Sequence, residues 1–304
     1  MVPVQRLGRG GLLGLNSSKP ADRDEYRYVM TVPSLTLNNG ITIPQIGLGT
    51  SPLTDDEVER AIVTATGLGY RHIDTAAKYE NEVGVGRGIR RSGIDRAELF
   101  VTTKLDGGYQ GDDRAIAGLD ACLKRLDLDY VDLLLIHWPL PARGEFVSTW
   151  RTFEKLLEQG KTRAIGVSNF KPGHLQTLLD QTSVVPAVNQ IQLSPQIPRE
   201  EQRRFNAEHG IVTEAYSPIS AGNELLASPE LTQIGDVHGK SPAQVVLRWH
   251  VQLGNVAIPK STSAERLAQN LDVFDFELNV AEMLALDRLS IGAMDGVDSD
   301  VSGH

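Results

Sequence analysis

Four residues in the first half of the chain have the types needed to move a proton: Asp74, Tyr79, Lys104 and His137. Asp74 and Tyr79 share the stretch HIDTAAKYENE, residues 72 to 82, in which an apolar start runs straight into an acid. A tyrosine hydroxyl titrates near ~10, too high for a good donor at neutral pH, and a nearby ammonium would stabilise the phenolate and lower that value. Lys104 could supply the ammonium, and Asp74 the counter-charge that a buried lysine needs to stay ionised. His137 could hold a carbonyl oxygen by a hydrogen bond. The set suits protonating an oxygen as it gains charge, which is the demand of carbonyl reduction.

Short apolar runs must position these residues. They recur as IGLGT (46 to 50), RHIDTA (71 to 76), LFVTTKL (99 to 105), VDLLLIHW (131 to 138), AIGVSN (164 to 169), AVNQIQL (187 to 193), IVTEAYS (211 to 217) and VAIPKS (256 to 261). Helical patterns fall between them at 54–66, 82–92, 112–126, 148–159, 172–180, 198–209 and 241–252. The first opens with a capping box, Thr54 with Glu57 three residues on. Alternating strands and helices call for a parallel sheet with helices outside, and eight such units predict an α/β chain closed as a (β/α)8 TIM barrel. A doubly wound sheet would more often carry a glycine fingerprint after a strand, and GVGRGI at 84 to 89 fails that pattern. Ahead of the barrel, SLTLNNGITIPQIG reads as a hairpin whose Asn39-Gly40 would form a type I′ turn.

Each strand is apolar through its middle and polar at its C-terminal end: Asp74, Lys104, His137, Ser168 with Asn169, Gln190 with Gln192, Tyr216 with Ser217, Lys260 with Ser261. In a parallel barrel those ends meet on one face, where active sites of this architecture are built. One such residue is commonly a helix cap or a solvated rim. Seven strands ending alike point to a site.

The net charge of −9 argues against a nucleic-acid surface. No apolar stretch reaches the ~20 residues needed to cross a bilayer. The single Cys122 lies in an amphipathic helical pattern, where a buried, inert thiol in a reducing, cytoplasmic setting is expected. Residues 1–29 have no sustained period and are expected to be a flexible extension or leader, with 30–304 as one barrel domain. A metal-dependent barrel hydrolase is a competing class, but His72-x-Asp74 stands alone without a ligand set, so no metal is expected.

The ordered motifs GYRHIDTAAKYENEVGVG, FVTTKL, VDLLLIHWP, AIGVSNF, VNQIQLSP, AYSPI and IPKSTSAERLAQN resemble the NADPH-dependent aldo-keto reductases, most of all the bacterial branch with the 2,5-diketo-D-gluconate reductases, from about Ser34 to Leu289. The resemblance implies a (β/α)8 barrel with a hairpin closing its bottom. It implies that Asp74, Tyr79, Lys104 and His137 form the catalytic tetrad, with Tyr79 as general acid. It places NADPH against Gly49, Thr50, Ser168, Asn169, Gln190, Tyr216 and Ser217, with Tyr216 stacking on the nicotinamide ring. Lys260, Ser261, Thr262 and Arg266 would hold the adenosine 2′-phosphate at a helix start, and Gln269 and Asn270 would lie near adenine. Gln269 stands where the family often has Glu. Ser51 and Asp106 stand where many members have aromatic residues, and with Trp138 they are the expected substrate pocket. The tail after Leu289 lacks the family's usual pattern. The expected activity is reduction of aldehydes, small ketones or dicarbonyls by a cytoplasmic monomer whose partner is a small carbonyl compound. A cofactor-binding regulatory barrel with little turnover is the alternative.

Overall fold

Strand edges must be paired, and here the apolar runs pair with one another. A computed structural model describes residues 32–220, 224–292 and 297–304 of the chain, so the extension expected at 1–29 lies outside the described residues. Strands β3 (Leu48–Gly49), β4 (His72–Asp74), β5 (Phe100–Leu105), β6 (Val131–Ile136), β7 (Thr162–Ser168), β8 (Val188–Gln192), β9 (Val212–Tyr216) and β10 (Val256–Ile258) follow in sheet order, every pairing parallel. A parallel bridge from Ile46 to Ala257, with Gly47 N to Ala257 O at 3.0 Å and Gly49 N to Pro259 O at 3.1 Å, joins the first strand to the last. Closure leaves the sheet no free edge. It also needs a glycine: a Cβ on Gly47 would come within 2.6 Å of Ile258 Cδ1 and 2.8 Å of His72 Nδ1.

The period of two along each strand sorts side chains into two cores. On β6, Leu134 and Ile136 face the helices, while Leu133 and Leu135 join Phe100, Ala164, Val188 and Val256 inside the barrel. That inner cluster includes Leu37 and Ile43 from the hairpin β1 (Ser34–Thr36) and β2 (Thr42–Pro44), so the hairpin plugs the bottom with apolar side chains. Its turn differs from the type I′ expected. Gly40 alone takes the left-handed conformation (φ +88°), with Gly40 N donating to Leu37 O and Leu37 N to Ile41 O. The loop is three residues with a glycine bulge, which spares Asn39 a positive φ.

The helices are α1 (Asp55–Leu68), α2 (Glu82–Ser92), α3 (Asp112–Leu126), α4 (Phe146–Glu158), α5 (Pro172–Gln181), α6 (Glu200–Glu208), α7 (Pro229–His238), α8 (Pro242–Gln252), α9 (Ala264–Leu271) and α10 (Val280–Asp287). The Thr54 capping box forms with both reciprocal bonds. Helix α6 starts later than its pattern predicts because Arg199 sits at φ +45°, which a right-handed helix cannot include. Helices α7 and α10 have no place in the strand and helix alternation and were not anticipated, although Asn279 and Glu282 form a capping box for α10.

The segment 297–304 returns to the mouth of the barrel. Lys171 Nζ reaches Asp298 Oδ1 and Asp300 Oδ2, both at 2.5 Å, and His174 Nε2 lies 2.9 Å from Asp300 Oδ1. Gly107 N donates to His304 O at 3.3 Å. The His304 ring stands edge-on to that of His137 with centroids 4.8 Å apart, and 5.8 Å from that of Trp138.

Candidate active site

Parallel pairing of β4 and β5 puts Asp74 opposite Thr102, and Lys104, on the same inward face, reaches up beside it. The Lys104 ammonium is wholly buried and donates to Asp74 Oδ1 at 2.6 Å, Thr75 O at 3.0 Å and Tyr79 Oη at 3.3 Å. All three of its protons have acceptors. Burial works against the charged form, but Asp74 and then Tyr79 more than offset it and hold the Lys104 pKa above its ordinary value. The second oxygen of Asp74 accepts from Gln190 Nε2 at 2.8 Å.

Tyr79 reaches the mouth through the loop after β4. A turn of 3-10 helix, Ala77–Tyr79, ends at Glu80 in the left-handed conformation (φ 56°). Asn81 then anchors the loop: its Nδ2 donates to Thr50 O at 3.0 Å and Leu53 O at 2.8 Å, and its Oδ1 accepts from Thr75 Oγ1. Asn81 was not among the expected site residues, although an amide two residues after Tyr79 stands in YENE; its burial is set by the fold.

Burial raises the Tyr79 pKa, and the lowering influence of Lys104 does not overcome it. This corrects the expected net lowering: in so dry a site, desolvation of the phenolate outweighs one ammonium that Asp74 already balances. His137, after β6, places its ring 5.8 Å from that of Tyr79 at 79°. Burial, then Lys104 and His304, push its pKa well below the ordinary value, so the ring is neutral at neutral pH. Its Nδ1 is buried without a hydrogen-bond partner among the described residues.

The residues expected around the cofactor gather beside this set. Ser168 Oγ donates to Gln190 O at 2.9 Å, Asn169 Nδ2 to His137 O at 3.0 Å, and Tyr216 Oη to Asn169 Oδ1 at 2.9 Å. Thr50 Oγ1 donates to Asp74 O at 2.9 Å. Burial pushes the Tyr216 hydroxyl up to about 12. Asn169 (φ 64°) and Ser217 (φ 49°) both take the left-handed conformation, which is uncommon for residues with a Cβ. A cleft of about 580 Å³ runs past Gly49, Thr50, Ser51, Asp74, Tyr79, Tyr216, Ser217 and Lys260.

Beyond Lys260 the chain enters α9. Ser263 caps the helix by accepting from Arg266 N, and Arg266 Nε lies 3.4 Å from Ser261 Oγ. Ser261 is buried, while Lys260, Thr262 and Arg266 are exposed. Neither Lys260 nor Arg266 is in an ion pair among the described residues. Gln269 is half-buried, and Asn270 is buried near the Tyr70 hydroxyl.

Two of the expected pocket residues are placed otherwise. Asp106 caps the 3-10 turn Gly107–Tyr109, accepting from Gly108 N, and lines a separate hollow with Ala77, Glu80 and Tyr109. A Cβ on Gly107 would come within 2.6 Å of His304 O, so this glycine makes room for His304 at the mouth. Trp138 is 8 % exposed and faces His304 and Gly303, so it walls the tail's seat.

Among the described residues no group of three or more His, Cys, Asp and Glu side chains is placed to hold a metal. Cys122 is buried, and burial pushes its thiol up to about 12, as an inert thiol requires.

A sequence profile of the Aldo/keto reductase family matches residues 44–291. An aldo-keto reductase of Mycolicibacterium smegmatis is 51% identical over 266 residues, covering 88% of this chain and 96% of that protein. Among solved structures, an aldo/keto reductase from Brucella melitensis superimposes with a TM-score of 0.83 at 47% identity, over 86% of this chain and 100% of that one. A mutant of Gox0644 in complex with NADPH gives 0.86 at 39% identity, over 90% and 100% of the two chains.

Proposed function

The chain belongs to the aldo/keto reductase family, and on that premise we propose how its residues divide the work of an NADPH-dependent carbonyl reductase. The observation that carries the reading is the buried contact of Lys104 with both Asp74 and Tyr79 at the mouth of the barrel. Tyr79 donates its proton to the carbonyl oxygen as that oxygen gains charge. Lys104 stands by to stabilise the phenolate left behind, and Asp74 keeps Lys104 charged without a net charge in the site. His137, neutral, orients the carbonyl oxygen by a hydrogen bond. Gln190 holds Asp74 in line.

The residues present suit NADPH. The cleft leads from Tyr79, past Tyr216 and the left-handed Ser217, to the exposed Lys260 ahead of α9, whose first turn carries the exposed Arg266. A helix start with serine hydroxyls and free cations is apt for a phosphate, so we assign Lys260, Ser261, Thr262 and Arg266 to the 2′-phosphate. Ser168, Asn169 and Gln190 would hold the carboxamide, with Tyr216 under the ring and Gln269 and Asn270 near adenine. When bound, NADPH supplies hydride to the carbonyl carbon. The solved relative with NADPH supports this choice of cofactor.

Within the family we place the chain near the 2,5-diketo-D-gluconate reductases and propose small aldehydes and dicarbonyls as substrates, on the loss of aromatic bulk at Ser51 and at Asp106 to Gly108. No described helix is long and apolar enough to cross a membrane, and we propose a cytoplasmic enzyme.

Purified protein should oxidise NADPH in the presence of phenylglyoxal or methylglyoxal. Tyr79→Phe should lower kcat by about 10²-fold or more, the usual contribution of a positioned acid, while leaving NADPH binding unchanged. Normal turnover in that variant would remove Tyr79 from the role.

A further inference from the structure

Strand β9 carries another acid into the barrel behind the proton-donor set. Glu214 lies on the inward face between Val212 and Tyr216, opposite Gln190 of β8 and Val256 of β10. It is wholly buried, and among the described residues neither carboxyl oxygen is met by a well-formed hydrogen bond. His72 Nε2, from β4, stands 3.6 Å from Glu214 Oε1 and is engaged with Thr102 Oγ1 at 3.1 Å. The amide nitrogen of Gln190 is committed to Asp74. The charged and titratable groups facing Glu214 are thus Asp74 and His72 from β4 and Lys104 from β5, with Tyr79 above them.

A buried carboxylate without donors is among the costliest groups a fold can hold, and the usual escape is to keep the proton. Burial first, and then the neighbouring Asp74 carboxylate, push the Glu214 pKa up to about 8, against the opposing influence of Lys104 and Gln190. His72 offers no compensation, because burial pushes it down to about 4 and leaves it neutral. At neutral pH the interior beneath Lys104 therefore holds a neutral acid and a neutral imidazole.

We infer that Glu214 is a positioning residue for the proton transfer, a buried acid whose own proton decides how readily Tyr79 releases its hydroxyl proton to substrate. The inference rests on the assignment of Tyr79 as general acid. While Glu214 is protonated, Lys104 and Asp74 balance and the phenolate formed at Tyr79 meets only the ammonium. When Glu214 loses its proton to solvent, a new negative charge stands below Lys104 in a low-dielectric interior. Its field opposes phenolate formation, as the raising influence of Glu214 on Tyr79 indicates. No bond in the substrate changes through Glu214. Its effect is to weaken Tyr79 as an acid as the pH rises.

The test is the pH profile of kcat for phenylglyoxal reduction at saturating NADPH. The native chain should lose activity several-fold from about pH 7 to about pH 9, where Glu214 ionises, because Tyr79 itself titrates higher. Glu214→Gln keeps the size and neutrality of the protonated acid. It should hold kcat within about two-fold at neutral pH and move the alkaline limb up by about one pH unit or more. A limb that superimposes on the native one overturns the inference. So does a limb that moves down, the sign expected if Tyr79 is the titrating group and Glu214 merely raises it. If Glu214→Gln does not fold, infrared spectra of native protein labelled with ¹³C-glutamate decide. A neutral glutamic acid band must vanish over the same pH range as kcat, and its absence overturns the inference. Failure here with Tyr79→Phe inactive leaves the site assignment standing, whereas an active Tyr79→Phe removes the assignment itself.

Discussion

Lys104 shows at the scale of one residue what a dry site demands. An ammonium with no exposure survives because each of its protons has an acceptor, the shortest contact being 2.6 Å to Asp74. Removing one partner of a buried pair leaves the other uncompensated, typically at about 3–5 kcal/mol. Asp74→Ala should therefore lower the unfolding free energy from urea titration by an amount in that range and abolish turnover, whereas Tyr79→Phe, which leaves the ion pair whole, should unfold within about 1 kcal/mol of the native chain. Equal loss of stability in the two variants would contradict this ranking. The types and order of these residues could be read in the sequence. Their balance could not, since whether Lys104 or desolvation dominates Tyr79 depends on how much water the closed barrel excludes.

At the scale of elements, the loop from Thr75 to Asn81 and the segment 297–304 hold the mouth in shape. Asn81→Ala removes the anchor to Thr50 and Leu53, so kcat should fall by about ten-fold or more, with KM for NADPH little changed, because misplacing a reacting group acts on the chemical step. Steady-state kinetics separate the two parameters. The returning segment is clasped by Lys171 and His174 to Asp298 and Asp300 and seats His304 against His137. A chain ending at residue 296 should show an altered KM for bulky carbonyls and unchanged NADPH affinity. Unaltered KM values across a size series would show that this segment does not bound the pocket. The helix boundaries followed the sequence wherever caps and periodicity agreed. Helix α6 departed because the left-handed Arg199 is set by its surroundings, and α10 passed unnoticed despite a readable capping box.

At the scale of the whole molecule the barrel is polarised. Its lower half is filled by apolar side chains and the hairpin, and its upper half by polar and charged side chains, Asp74, Lys104, His137 and Glu214 among them. Of the three buried histidines, His72, His137 and His250, the first and last define a pH window for stability. Burial pushes both His72 and His250 down to about 4. The folded state therefore binds fewer protons than the unfolded chain, and stability present above the ordinary value of ~6.5 is lost as pH falls toward about 4, on the order of 3 kcal/mol for each histidine. Glu214, shifted upward, has the opposite sign and costs stability as pH rises toward about 8. With these groups alone, two histidines outweigh one acid below ~6.5, so the thermal midpoint should peak near there, and a monotonic rise or fall through that pH would contradict the balance. A chain of net charge −9 also repels a phosphorylated ligand except where cations gather. Replacing both Lys260 and Arg266 by Ala should raise the KM for NADPH by about ten-fold or more and leave that for NADH little changed, since only one cofactor carries the extra phosphate.

The sequence by itself determined the succession of strands and helices, the apolar lower ends and polar upper ends of the strands, and the choice of Asp74, Tyr79, Lys104 and His137 as candidates for proton transfer. Those features rest on local period, capping and residue type, which act over a few positions along the chain. Tertiary structure alone decided that Gln190 grips Asp74, that Asn169 and Ser217 take left-handed conformations, that His304 lies on His137, and that Glu214 is buried with no well-formed hydrogen bond among the described residues. Each of these depends on groups far apart in sequence meeting across a closed barrel, and it is the exclusion of water there that turns an unremarkable Glu in IVTEAYS into an acid that keeps its proton.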